Sequence, residues 1–205
     1  MTELNVVEKP YRARTHEQLR LVEFRKVAGL MINDGKAISE IRQMSKEENF
    51  LNASSPARAA DVLGSVIRRI QSVDEDYLRF FLEQNADNQK ILAYTAMMTE
   101  DHTFFDFNDV VVKEKMRLND MELTDADILG FLRRLQDSHQ EIGWTDASVK
   151  KMVSNWKVVL KDAGLLKTAD GKGKYTLVKP VLSKEFTDFL DKDGLGRMAD
   201  ILTGR

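Results

Sequence analysis

The sequence predicts a mainly α-helical fold: a helical bundle followed by a winged helix-turn-helix-like part that carries a small β-hairpin. Three observations predict it. Only 3 prolines and 11 glycines interrupt 205 residues, which leaves long stretches free to form helices. Apolar residues recur at three-and-four spacing through most of the chain. Residues 145–180 then read as a lysine-studded helix followed by a glycine-turned hairpin.

Taken in order, the arm up to Tyr11 shows no periodicity and reads as loose. A helix is predicted from a Thr15 cap, with Gln18 completing a capping box, through Leu19, Val22, Val27, Leu30 and Met31. Asp34-Gly35 ends it, and a shorter helix runs from Ala37 to Met44. Phe50 and Leu51 read as plugs from a polar loop into the core. Ser55-Pro56 is a strong helix start, because serine caps and proline at the first position lacks only an N–H that needs no partner. That helix turns Ala60, Leu63, Ile67 and Ile70 inward, with Val62 and Val66 beside them, and places Arg58, Arg68 and Arg69 outside the stripe.

Two helices follow, over about 74–84 and 88–99. An aromatic linker, Phe104 to Asn108, leads to a short helix from Asp109 to Leu118. Thr124 caps a helix from Asp125 to about His139, and Gly143-Trp144 turns the chain into the lysine-rich helix. There Val149, Met152, Val153, Trp156, Val159 and Leu160 form a buried face, while Lys150, Ser154, Lys157 and Lys161 form an exposed stripe. Asp170-Gly171-Lys172-Gly173 turns the hairpin, and two helices near 184–190 and 195–202 end the chain. The predicted division is a bundle over residues 1–121 and a winged-helix-like unit over 122–205.

The chemistry is mostly exclusion. The absence of cysteine removes disulfides, thiolate metal sites and a thiol nucleophile, and suits a reducing cytoplasm. No secretory leader and no membrane-length apolar run is visible. Neither a phosphate-binding Walker loop nor a dinucleotide fingerprint is present. His16, His102 and His139 show no ligand pairing, and the Glu100-Asp101-His102 cluster matches no metal-site spacing. The chain therefore reads as a non-enzyme with no catalytic residue, cofactor or metal.

Charge is unevenly distributed. Residues 9–70 hold 12 basic and 7 acidic side chains, residues 71–144 hold 7 and 16, and residues 145–182 hold 8 and 3. Two basic blocks flank an acidic one, a pattern that points to a polyanionic partner. A helix like the lysine-rich one enters the major groove of duplex DNA while a wing touches phosphate. The candidate DNA contacts are Lys150, Lys151, Lys157, Lys161, Lys172 and Lys174, with Arg58, Arg68 and Arg69 in the first block. Ser154 and Asn155 are the candidates for base edges, since asparagine pairs bidentately with adenine. Five neutralised phosphates would give a log–log salt slope of about −4.5.

Ser54-Ser55-Pro56-Ala57 heads a helix that closes on Ile67-Arg68-Arg69-Ile70. Farther on come the alanine- and methionine-rich helix Leu92–Met98, a Val-Val-x-Glu-Lys segment from Val111 to Lys115, Thr124-Asp125, Trp144, and Asp162-Ala163-Gly164-Leu165-Leu166. In this order, over about residues 15–182, they resemble the BrxA family of BREX bacteriophage-defence systems. The resemblance implies a non-enzymatic helical protein with a winged-helix-like part, DNA binding, a partial likeness to the antitermination factor NusB, and other BREX proteins as partners. It carries over no DNA-contacting residues. Two alternatives remain open at this point: RNA binding through the arginines of the first block, and an adaptor role in which the acidic middle docks a basic protein.

Overall fold

The computed structural model describes residues 6–169 and 173–205. The chain is mainly helical with a small antiparallel sheet, as predicted. The helices are α1 (Leu21–Ile32), α2 (Ile38–Glu47), α3 (Pro56–Ile70), α4 (Glu75–Glu83), α5 (Ala86–Glu100), α6 (His102–Phe107), α7 (Lys113–Arg117), α8 (Asp125–Ser138), α9 (Asp146–Asp162), α10 (Lys184–Lys192) and α11 (Gly196–Thr203). The strands are β1 (Glu122–Thr124), β2 (Leu166–Thr168) and β3 (Lys174–Leu177).

Caps set most of the helix starts. Ser55 Oγ accepts from the Arg58 amide at 3.2 Å, with Pro56 at the first position. Asp74 Oδ1 accepts from the Tyr77 amide at 3.0 Å, and Asn85 Oδ1 from Asp87 and Asn88 at 3.1 and 3.0 Å. Thr124 and Asp127 cap each other reciprocally, and Thr145 Oγ1 accepts from Ser148 at 3.2 Å.

Helix α5 is buried on every side from Ile91 to Glu100, so it forms the axis of the bundle. Helices α1, α3, α4 and α6 pack around it. Phe104 to Asn108 was expected as a linker. Instead Phe104, Phe105 and Phe107 lie in α6, which continues through a π-turn at Asn108–Val112 into α7. All three rings are buried, as are His102 and Thr103, and six residues are too few for a helical period to show in the sequence. Asn108 sustains the turn by accepting from the Tyr94 hydroxyl and donating to the Phe104 carbonyl at 2.7 Å.

In the second half, β1, α8, α9, β2 and β3 follow in sequence, and the strands pair in the order β1-β3-β2. Leu123 and Thr168 both oppose Tyr175. Strand β1 has no counterpart in the sequence reading because three residues are too short to show an alternation. Trp156 of α9 is the hub of this half. It lies 4.7 Å from Phe107, 5.5 Å from Phe104 and 6.3 Å from Phe131, so α9 is nailed to α6 and α8. The last two helices return to the first half: Phe189 of α10 stacks on Phe80 of α4 at 3.9 Å, and α11 packs on α7.

The predicted start of the first helix needs correction. Residues 15–20 are not helical; α1 begins at Leu21, after Arg20 in a left-handed conformation (φ 56°). The cause is Arg69. Its guanidinium takes the Gln18 and Leu19 carbonyls at 2.7 and 2.8 Å, acceptors that a first helical turn would have used internally. The arm before it is not loose over its described residues. Val6 is buried, Lys9 Nζ donates to the Thr99 carbonyl at 2.9 Å, and the Arg12 amide donates to Thr103 Oγ1 at 2.9 Å. Residues 6–20 therefore form a strap across the ends of α3, α5 and α6.

Candidate nucleic-acid interface

Helix α9 presents one exposed arc beside the hairpin. At 3.6 residues per turn, Lys157 lies on the edge nearest the sheet, Lys150, Lys161 and Ser154 lie in the middle, and Lys151 and Asn155 lie on the opposite edge. Lys150, Lys151, Ser154 and Lys161 are exposed. Among the described residues, Lys150, Lys151 and Lys161 form no ion pair, although Asp146 one turn earlier, itself paired with Arg133, feels the charge of Lys150.

The other predicted contacts are engaged. Lys157 is only 13% exposed and pairs with Asp125; its ammonium lies 5.1 Å from the Tyr175 ring. Burial opposes its charge, but Asp125 and the Tyr175 hydroxyl hold its pKa above the ordinary lysine value. Lys161 lies over the same ring at 4.7 Å. Lys174 on β3 pairs with Glu122 on β1 at 3.1 Å, an exposed pair that water weakens. Asn155 is half-buried and donates to the Thr15 carbonyl of the strap. Lys172 lies outside the described residues.

The first block departs further from the sequence reading. Arg69, placed on the solvent side, is 1% exposed and ion-paired with Glu17. It is therefore not a surface contact. The spacing held the signal: Val62, Val66 and Arg69 stand at i, i+4 and i+7, one face of α3. A buried arginine needs a carboxylate, and Glu17 on the strap supplies it. Arg68 pairs with Glu17 at 3.0 Å and Glu100 at 3.3 Å, yet remains 42% exposed. Arg58 is half-buried and has no carboxylate partner among the described residues.

The strap also gathers groups that sequence separates. Tyr11 stacks on His102 at 4.1 Å, lies 4.8 Å from His139, and donates to Asp106 at 2.7 Å. Arg14 pairs with Glu100 and reaches Asp101 at 3.6 Å. Glu100-Asp101-His102 thus spends its groups on Arg14, on the α6 cap and on the Lys9 carbonyl. No trio of metal-ligating side chains is placed to hold an ion among the described residues. None of the described helices is long and apolar enough to cross a membrane.

Asp101 is buried, and burial pushes its pKa up to about 7, with Arg14 opposing the shift. A folded pKa above the unfolded value contributes stability that is complete below about pH 4 and is lost as pH rises through 7. Asp101→Asn keeps an acceptor for the Phe104 amide and removes the charge. It should therefore stabilise the fold by about 1–3 kcal/mol at pH 8 and change it little at pH 4, read by urea unfolding. An equal effect at both pH values would show that the carboxylate is not the source.

Fold and surface together define a helical protein that presents a cationic helix beside a three-stranded sheet. The chain belongs to the BrxA family, whose profile matches residues 9–194. It is 27% identical over 201 residues to the BREX protein BrxA of Bacillus cereus (strain H3081.97), covering 97% of this chain and 99% of that protein. In fold it is similar to the crystal structure of an uncharacterized protein from Magnetospirillum magneticum, with a TM-score of 0.79 at 18% identity, covering 96% of this chain and all of that one.

Proposed function

We propose that this BrxA-family protein serves a BREX phage-defence system as a non-enzymatic accessory that binds duplex DNA, chiefly by electrostatic contact. The observation that carries this reading is the exposed arc of α9, where Lys150, Lys151 and Lys161 form no ion pair beside the hairpin β2–β3. The order β1-α8-α9-β2-β3, with the sheet arranged β1-β3-β2, supports reading this part as a winged helix. α9 is then the helix that approaches the major groove.

Because Asp125 holds Lys157, α9 offers three of its four lysines without an ion pair, and Lys174 of the hairpin is paired with Glu122. Three neutralised phosphates give a log–log salt slope of about −2.7. Ser154 is exposed and available to base edges, whereas Asn155 must first leave Thr15. Binding dominated by lysine–phosphate contact carries little sequence preference.

The test is fluorescence anisotropy of a labelled random duplex at several salt concentrations. Lys150→Ala/Lys151→Ala/Lys161→Ala should weaken binding roughly tenfold to a hundredfold and flatten the slope. Absence of binding by the unsubstituted protein at low salt would sink the proposal. Preference for single-stranded or stem-loop RNA over duplex would replace it with an RNA-binding role.

A further inference from the structure

The strap lies against the edge of α9. Asn155, on the edge of the exposed arc away from the hairpin, is bonded to the Thr15 carbonyl. Arg14 before Thr15 and His16 after it line two clefts that share Arg68 as a wall. One, of about 250 Å³, is lined by Lys9, Arg12, Arg14 and Arg68 with Glu100 and Asp101. The other, of about 450 Å³, is lined by His16, Arg20, Arg58 and Arg68 with Glu17 and Asp61.

Pairing decides which of these charges face outward. Glu17 is spent on Arg68 and buried Arg69, and Glu100 on Arg14 and Arg68. Arg20 lies 3.6 Å from Glu23. Arg12 is exposed and Arg58 half-buried, and neither has a carboxylate partner among the described residues. Asp61 shares the second cleft with Arg58. The two basic blocks of the sequence therefore meet at the Asn155–Thr15 contact, with the hairpin flanking α9 on one side and the strap on the other.

We propose that the strap and the exposed side of α3 continue the α9 surface, so that Arg12 and Arg58 hold phosphates of the same duplex that α9 engages. This rests on the DNA-binding reading above and adds a second flank to it. A duplex confined to α9 and the hairpin needs about one helical turn, near 10 base pairs. A duplex that also reaches the strap must be longer. Each added phosphate contact steepens the salt slope by about 0.9, whatever the number of registers available on a longer lattice.

The experiment measures salt slopes by anisotropy on 12-base-pair and 24-base-pair duplexes, using the full chain. The unsubstituted protein is expected to show a slope steeper by about 2 on the longer duplex. Arg12→Ala/Arg58→Ala should give equal slopes on both and bind the longer duplex about tenfold more weakly. Arg12→Lys/Arg58→Lys should restore the difference. The hydrogen bonds of Arg12 and Arg58 to Thr103 and Ser55 use backbone atoms, so these variants should fold, as a thermal melt would show.

Unchanged slopes in Arg12→Ala/Arg58→Ala would overturn the strap's role and leave DNA on α9. Equal slopes on the two duplexes for the unsubstituted protein would do the same. Failure of that protein to bind either duplex would overturn this inference together with the reading beneath it.

Discussion

Glu17→Ala should lower the unfolding free energy by about 3–5 kcal/mol, because it strands Arg69 as a buried, uncompensated charge. Glu17 also accepts from Ser65 at 2.7 Å and pairs with Arg68, so three partners lose their acceptor at once. Arg69→Met should cost less, although it leaves the Gln18 and Leu19 carbonyls without their donor. It removes the buried charge itself, and Glu17 keeps Arg68 and Ser65. Urea unfolding of the two variants measures the difference, and equal losses would show that the charge pair is not what holds the strap. Burial favours the neutral form of Glu17, but Arg69 and Ser65 outweigh it and hold the carboxyl below its ordinary pKa. Its contribution is therefore present above the unfolded carboxylate value and is lost as pH falls through the folded one. Glu17→Ala should lack that component of acid destabilisation.

Trp156→Ala is expected to cost a further large sum, about 3–5 kcal/mol, by opening a cavity among Phe104, Phe107 and Phe131. The effect should extend to the duplex binding proposed for this face. Trp156 fixes the buried side of the helix whose other side carries Lys150, Lys151 and Lys161. Trp156→Phe retains an aromatic ring against Phe107 and should lose only about 1–2 kcal/mol. Thermal melts paired with duplex binding measured well below the melting temperature check this. Full DNA affinity in a folded Trp156→Ala would mean that the α9 surface does not depend on its anchor.

The sequence displayed what repeats and what caps. α9 was legible because nearly five turns of information agree: Thr145 starts it, apolar residues recur on one side, and lysines on the other. Ser55-Pro56 and Thr124 marked their helices for the same reason. α6 was hidden because it is six residues long, and β1 because it is three residues long. The candidate interface was half legible. Periodicity finds which lysines share a face, but not that Asp125 and Glu122 neutralise Lys157 and Lys174 from other elements. Arg69 could have been recognised as inward by its spacing from Val62 and Val66. Its partner Glu17, 52 residues earlier, could not.

The return of the last helices to the first half has a consequence for how the protein is made. During synthesis α4 emerges long before α10, so Phe80 and Tyr77 stand without the Phe189 ring while roughly a hundred residues are still to come. The bundle thus spends its ribosome-bound life with an aromatic patch uncovered, the kind of surface that chaperones recognise. Closure of that patch waits for α10, which makes the fate of a nascent molecule depend on a helix made long after the surface it covers.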